Sequence, residues 1–186
     1  MFTIYYSDVT GLPSNCNYPH KKEVIDEASL KEAISHDYVC AEYKNSYRSG
    51  DNFIGSNCLP VDCDNDHSDN PEDWITPNDV MQAFPNVSFA IHYSRSNNKA
   101  KNGKTARPKF HVLFPIDYET DATKYKEIKQ KVNLIFPYFD SNALDAARFF
   151  FGTKEGNVEI YKGDMNLTQY LNAYDFEEAE MNRMPD

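Results

Sequence analysis

The stretch Cys-Leu-Pro-Val-Asp-Cys-Asp-Asn-Asp at positions 58–66 limits what the whole chain can become. A short apolar run that stops abruptly in carboxylates reads as a buried strand ending at a site, since unpaired acid is costly in a strand interior. Strand alternation turns Asp62 and Asp64 to one face and Cys63 to the other. Two carboxylates on one edge repel, so one must take up a proton unless cations sit beside them; divalent metal would let both stay ionised. Plainer readings exist: a chance Asp-x-Asp on acidic surface, an acidic helix N-terminus, or a calcium loop. The last fails on its own pattern, because His67 stands where glycine is needed, Asp73 where glutamate is needed, and a proline-containing strand where a helix should lead in.

A buried strand needs a core around it. The chain has 186 residues with 13 Tyr and 12 Phe, enough to bury one and too aromatic for a disordered polymer. Cysteines 16, 40, 58 and 63 contain no Cys-x-x-Cys pair, which argues against a zinc knuckle or a disulfide scaffold and for a reduced compartment. With no secretory leader and no apolar run of membrane-spanning length, the expectation is a soluble, cytoplasmic protein with no membrane partner.

The net charge of −10 excludes a general nucleic-acid-coating protein. Its distribution is uneven. Residues 93–116 hold Arg95, Lys99, Lys101, Lys104, Arg107 and Lys109 and no acid, a positive segment in an acidic chain. A solvated loop kept soluble by its lysines is the plain account of such a run.

In chain order, residues 2–6 read as a first strand, and Ser29-Leu30-Lys31-Glu32 as a capping box opening a helix. Residues 38–43 are strand-like. Lys44 and Arg48 are the cations of a polar segment leading into the acidic strand, and Thr76-Pro77 starts a second helix that Pro85 ends. Residues 87–93 and 109–114 predict two strands flanking a long basic hairpin, with Asn97-Asn98 and Asn102-Gly103 as turn formers. Alternation groups Lys109, His111 and Leu113 on one face. A helix from about 121 to 136 carries Tyr125, Ile128, Val132 and Ile135 at core spacing. Tyr138-Phe139-Asp140 reads as a short strand running into a carboxylate, Asp145 as the cap of one turn through Arg148, and 149–151 and 158–161 as returns to the core. Residues 1–175 form the expected folded unit, and 176–186 a charged tail or linker.

The order of these signals resembles the three-motif layout of the archaeo-eukaryotic primase superfamily, in particular the primase-polymerase domains of plasmids, phages and related mobile elements. Leu59-Pro60-Val61-Asp62-Cys63-Asp64 stands for the first motif and Arg107-Pro108-Lys109-Phe110-His111-Val112-Leu113-Phe114-Pro115 for the second. Tyr138-Phe139-Asp140 with Leu144-Asp145-Ala146-Ala147-Arg148-Phe149-Phe150-Phe151-Gly152 stands for the third. The resemblance implies an α+β fold: an RRM-like antiparallel sheet backed by helices, with a smaller N-terminal α/β unit. It implies a nucleotidyltransferase, a DNA primase or polymerase that joins (d)NTPs on template and primer DNA in replication of a mobile element, with a helicase or other replication domain as a partner.

On that resemblance Asp62, Asp64 and Asp140 would hold two Mg2+ or Mn2+ ions, one at the attacking 3′-hydroxyl and one at the leaving pyrophosphate. Asp145 is the other candidate for the third carboxylate. His111 would contact the nucleotide's phosphates, together with Arg107, Lys109, Arg148 and, more distantly, Arg48 and Lys44. Arg95, Lys99, Lys101 and Lys104 would meet DNA backbone. Two other classes stay open: a metal-dependent rolling-circle nuclease or replication initiator, and a non-catalytic nucleotide-binding module. The first would use a His-hydrophobic-His pair, whereas His92 and His111 fall on separate strands.

Overall fold

A computed structural model describes residues 1–141 and 145–183. Leu144 of the third motif and the last three residues of the expected tail lie outside the described residues.

The acidic strand is central. β5 (Phe53–Cys63) pairs antiparallel with β7 (Phe110–Glu119), and β7 pairs in turn with β6 (Phe89–Tyr93). β4 (Glu42–Tyr43) and β9 (Val158–Tyr161) flank them, giving the order β4-β5-β7-β6-β9. Helix α2 (Pro77–Ala83) connects β5 to β6, and α3 (Ala122–Ile135) follows β7. β5-α2-β6 with β7 between the two strands is the split βαβ arrangement on which RRM-like sheets are built.

Alternation decides which face meets which partner. Leu59, Val61 and Cys63 lie opposite Phe114, Val112 and Phe110, and this face packs on Val80, Phe84, Tyr125, Val132 and Leu167. Phe84 sits among the rings of Phe114, Tyr170, Phe136 and Phe139 at centroid separations of 5.1, 5.6, 6.4 and 6.4 Å. Burying each such ring contributes ~1.5–3 kcal/mol.

The opposite face, with Cys58, Leu113, Ala90 and Val158, is covered by the N-terminal unit. There β1 (Phe2–Tyr6) and β2 (His20–Val24) form a hairpin, α1 (Glu27–Ala33) follows, and β3 (Tyr38–Val39) joins β1 to β8 (Phe149–Phe150). The molecule is α+β: helices, a five-stranded antiparallel sheet, then a four-stranded antiparallel sheet with its helix. The acidic end of β5 emerges where the last two layers part.

Several local expectations change. Ser29 is the third residue of α1 and Asp26 the N-cap; the two form the reciprocal box, because an acidic side chain at 26 accepts the Ser29 N–H at 2.8 Å. The strand-like run 38–43 is split between the two sheets as β3 and β4. Residues 138–140 form a turn instead of a strand: Pro137 ends α3, Phe139 turns into the core, and the Asp140 N–H donates to the Asp62 carbonyl at 2.9 Å. Two elements were missed, β2 and α4 (Leu167–Ala173). Part of the segment read as tail forms α5 (Phe176–Met181), capped by Asp175, and Phe176 packs against the core.

Candidate active site

The site is built on one cross-strand row. Antiparallel register sets Asp62 of β5 opposite His111 of β7, and His111 opposite His92 of β6, so all three point to the same face. Asp64, two residues on from Asp62, follows it to that side.

Asp62 is 2% exposed and accepts a hydrogen bond on each oxygen. His111 Nδ1 donates to Oδ1, and Arg148 Nη2 donates to Oδ2 at 2.7 Å. Burial presses the carboxyl upward, but His111 and Arg148 outweigh it and hold it at about 2. With Nδ1 committed to Asp62, the His111 Nε2 has no hydrogen bond among the described residues. Arg148 is half exposed, and its Nε is buried without a partner among the described residues.

Asp64 differs from its neighbour. It accepts no hydrogen bond among the described residues, and its carboxyl is raised, first by burial and then by Asp62, against the pull of Lys109. Asp62, Asp64, His111 and Arg148 line a cavity of about 200 Å3 with Arg95, Lys101, Ser94, Ser96 and the residues 149–151. The lining combines carboxylates, cations and aromatic rings.

Behind the row stands His92, which is 0% exposed. Its Nδ1 pairs with the Tyr38 hydroxyl at 2.7 Å and its Nε2 with Thr153 Oγ1 at 2.9 Å, while its ring lies 5.3 Å from that of His111. Burial, reinforced by His111, keeps it neutral well below its ordinary pKa. Both nitrogens are taken, so His92 ties the N-terminal unit to the five-stranded sheet. Although His92 and His111 are adjacent, they do not form the open histidine pair of a rolling-circle nuclease.

The other expected residues separate into groups. Lys109 reaches Asp66 at 3.8 Å and Lys104 reaches it at 3.0 Å. Arg95 and Lys101 line the cavity, and Lys99 lines an adjoining one. Arg48 donates to the carbonyls of Ala147 and Asn15 and lies over Phe149, 4.5 Å from its centroid; it does not line the cavity. Asp145 is exposed and accepts the Ala147 N–H at 2.9 Å, the cap expected of it. Asp140 is anchored beside Asp62 through its backbone.

Arg107 lies apart from the cavity. It is 0% exposed, and all five of its N–H groups are used, on Asn65, Ser68, Asp69 and Thr105. Strand alternation from His111 and Lys109 would have aimed it at the cavity, but β7 begins only at Phe110, and Pro108 turns Arg107 into the 64–76 loop. It is a scaffold residue.

Lys129 was not anticipated. It is 1% exposed on α3, donates to the Asp145 carbonyl at 3.2 Å, and is held down to about 8, chiefly by burial. A lysine inside the apolar stripe of Tyr125 and Val132 was the signal that could have found it.

For a divalent cation, Asp62 and Asp64 supply hard oxygens on one face, and the desolvated Asp64, which accepts no hydrogen bond among the described residues, fits a charge yet to be met. Among the described residues no group of three His, Cys, Asp or Glu side chains converges as a ready metal cage.

No protein-family model matches the chain, and no curated protein matches it. The fold is similar to that of a solved structure. That structure is the AEP domain of the Cyanophage S-2L Primase-Polymerase (PrimPol), 13% identical, with 94% of this chain and 89% of that chain covered at a TM-score of 0.51. Among the described residues no helix is long and apolar enough to cross a membrane.

Proposed function

We propose that this chain is a template-dependent nucleotidyltransferase, a DNA primase or polymerase acting in the replication of a phage, plasmid or other mobile element in the cytoplasm. The observation that carries the reading is the cavity at the end of β5, where two carboxylates face His111, Arg148, Arg95 and Lys101. A triphosphate needs cations for its own charge and carboxylates for the metal that accompanies it, and both are present.

Asp62, Asp64 and Asp140 would hold Mg2+ or Mn2+, two ions in all, which when bound lower the pKa of the attacking 3′-hydroxyl and neutralise the leaving pyrophosphate. His111, oriented by Asp62, would donate Nε2–H to a phosphate oxygen when its ring carries both protons. Arg148 exchanges its bond to Asp62 for the triphosphate, a better match for a guanidinium fork than one carboxylate oxygen. Arg95 and Lys101 line the same cavity and add charge. Arg107 drops out of this set, and Arg48, behind Phe149, acts on it only by packing. Lys109, drawn toward Asp64 and Asp66, sets the charge at the acidic rim. Lys99, Lys104 and the 94–108 hairpin meet template or primer backbone. A helicase or other replication domain is the expected partner, because an acidic chain grips DNA weakly alone.

Primer extension on a primed single-stranded template, with each metal and both nucleotide classes, tests this. Template-directed products should vanish in Asp62→Ala with Asp64→Ala, and His111→Ala should need far more nucleotide. The occupation of both Asp62 oxygens favours one other reading, a module that binds nucleotide without joining it. Nucleotide binding with no incorporation in either metal would establish that reading and overturn ours.

A further inference from the structure

A second cavity, of about 340 Å3, opens beside the first and shares Ser94 and Arg95 with it. Its other charged residues are Lys99, Lys154 and Glu155, so three cations face one carboxylate in a chain of net charge −10. From the geometry we infer that this cavity is a phosphate subsite for the backbone of the strand whose 3′-end reacts in the first, and that Lys154 and Lys99 are its contacts. The inference rests on the polymerase reading above.

Three observations support it. Continuity comes first: a strand whose end lies at Asp62 and Asp64 must leave that cavity, and the way across Arg95 leads into the second. The charge excludes the metal-bound triphosphate, since the second cavity holds one carboxylate, Glu155, and no acidic pair.

The third is that both walls are fixed. On one side Gly152 N–H donates to Asp37 Oδ1 and Thr153 N–H to the Ile34 carbonyl, each at 2.8 Å, while Thr153 Oγ1 holds His92. A Cβ on Gly152 would meet the His36 backbone at 2.3 Å, so the chain approaches as closely as only glycine allows. On the other side the Arg95 guanidinium lies over the Phe151 ring, 3.6 Å from its centroid, and Lys99 Nζ donates to the Arg95 carbonyl at 2.9 Å. The subsite is therefore braced by the same Thr153–His92 contact that supports His111.

The test uses the whole chain, a fluorescein-labelled primed oligonucleotide and a deoxynucleoside triphosphate. In Lys99→Ala with Lys154→Ala, the Kd for primed DNA should rise about tenfold at near-physiological salt, and the slope of log Kd against log salt should fall by about 2, one per lysine. The nucleotide KM should stay within about twofold, and Lys99→Arg with Lys154→Arg should restore both DNA readouts. An unchanged DNA affinity and salt slope in a folded Ala variant would overturn the subsite. So would a raised nucleotide KM with DNA affinity intact. Binding is read without turnover, so a wild type that fails to extend primers sinks the polymerase reading separately, and the subsite is then judged on affinity and slope.

Discussion

Arg107 and Arg148 flank the same acidic strand end, and the sequence offers both as phosphate ligands. Arg107 lies just before β7 and reaches into the loop that follows β5, with every N–H spent on backbone carbonyls, Thr105 and Asp69 and its guanidinium 5.5 Å from the centre of the Trp74 ring. Arg148 lies across the cavity on the 145–148 turn, with one N–H group on Asp62 and its Nε unsatisfied among the described residues. The type of residue is the same, but the spare valence is not. A cation can serve a ligand only with donors that the fold has not already used.

The largest effect should come from the carboxylates themselves. Asp62→Asn with Asp64→Asn should lower kcat by about 10³-fold or more, since several kcal/mol of charge stabilisation is lost at about 1.4 kcal/mol per factor of ten. Primer-extension rates measure it. A double variant that keeps near-wild-type turnover would mean the chemistry lies elsewhere.

The comparison then predicts opposite phenotypes for the arginines. Arg107→Ala should cost ~2–4 kcal/mol of stability, because it strands several carbonyls and empties a buried volume, and Arg107→Lys should restore little without the fork. Urea denaturation reads this directly. Arg148→Ala should cost less, ~1–2 kcal/mol for the one charge-assisted bond to the buried Asp62, yet raise the nucleotide KM about 10- to 100-fold, one or two charge-assisted hydrogen bonds' worth. Should the phenotypes be exchanged, the use of spare donors to assign roles fails.

His92 sharpens the view from beneath. It is buried and neutral in the fold but free to take a proton once unfolded, with its folded pKa well below 6.5. Below about pH 6.5 the unfolded state binds one more proton than the native state, so this residue removes up to about 1.4 kcal/mol of stability per pH unit as the solution is acidified. Above that pH it contributes no slope. Denaturation midpoints at pH 5 and 7.5 should therefore differ less in His92→Gln than in the wild type, and an equal difference would show that His92 titrates normally.

What was legible follows periodicity. β5, the β6–β7 hairpin and α3 were readable because their apolar residues repeat at strand or helix spacing over long runs, and Asp62, Asp64 and His111 came with them. Asn102, with φ 53°, and Gly103, with φ 74°, make the hairpin turn their sequence announces. β2 was hidden because His20-Lys21-Lys22-Glu23 puts charge on a sheet edge, where strands are protected by it. Arg107 was misread because Pro108 ends the alternation one residue before it shows. His92 and Lys129 needed the third dimension: one is defined by a cross-strand neighbour, the other by the 145–148 turn that meets the middle of a helix. Sequence gives the face of a strand more readily than the partners waiting on it.

The smallest predicted effect bears on whether the 94–108 loop is one body or two. Arg107 anchors its base, whereas Lys104 pairs at 3.0 Å with an Asp66 that is itself half exposed. An exposed pair of this kind adds under about 1 kcal/mol, so Lys104→Ala should leave the urea midpoint nearly unmoved while lowering the salt slope of DNA binding by about 1. That result would separate a locked base from an arm available to DNA. If Lys104→Ala destabilised the protein as much as Arg107→Ala, the two lysine and arginine contacts would belong to one cooperative scaffold. Its cations would then be spent on the acidic loop rather than held for a nucleic-acid backbone, and the DNA contact would have to be carried by Arg95, Lys99 and Lys154 alone.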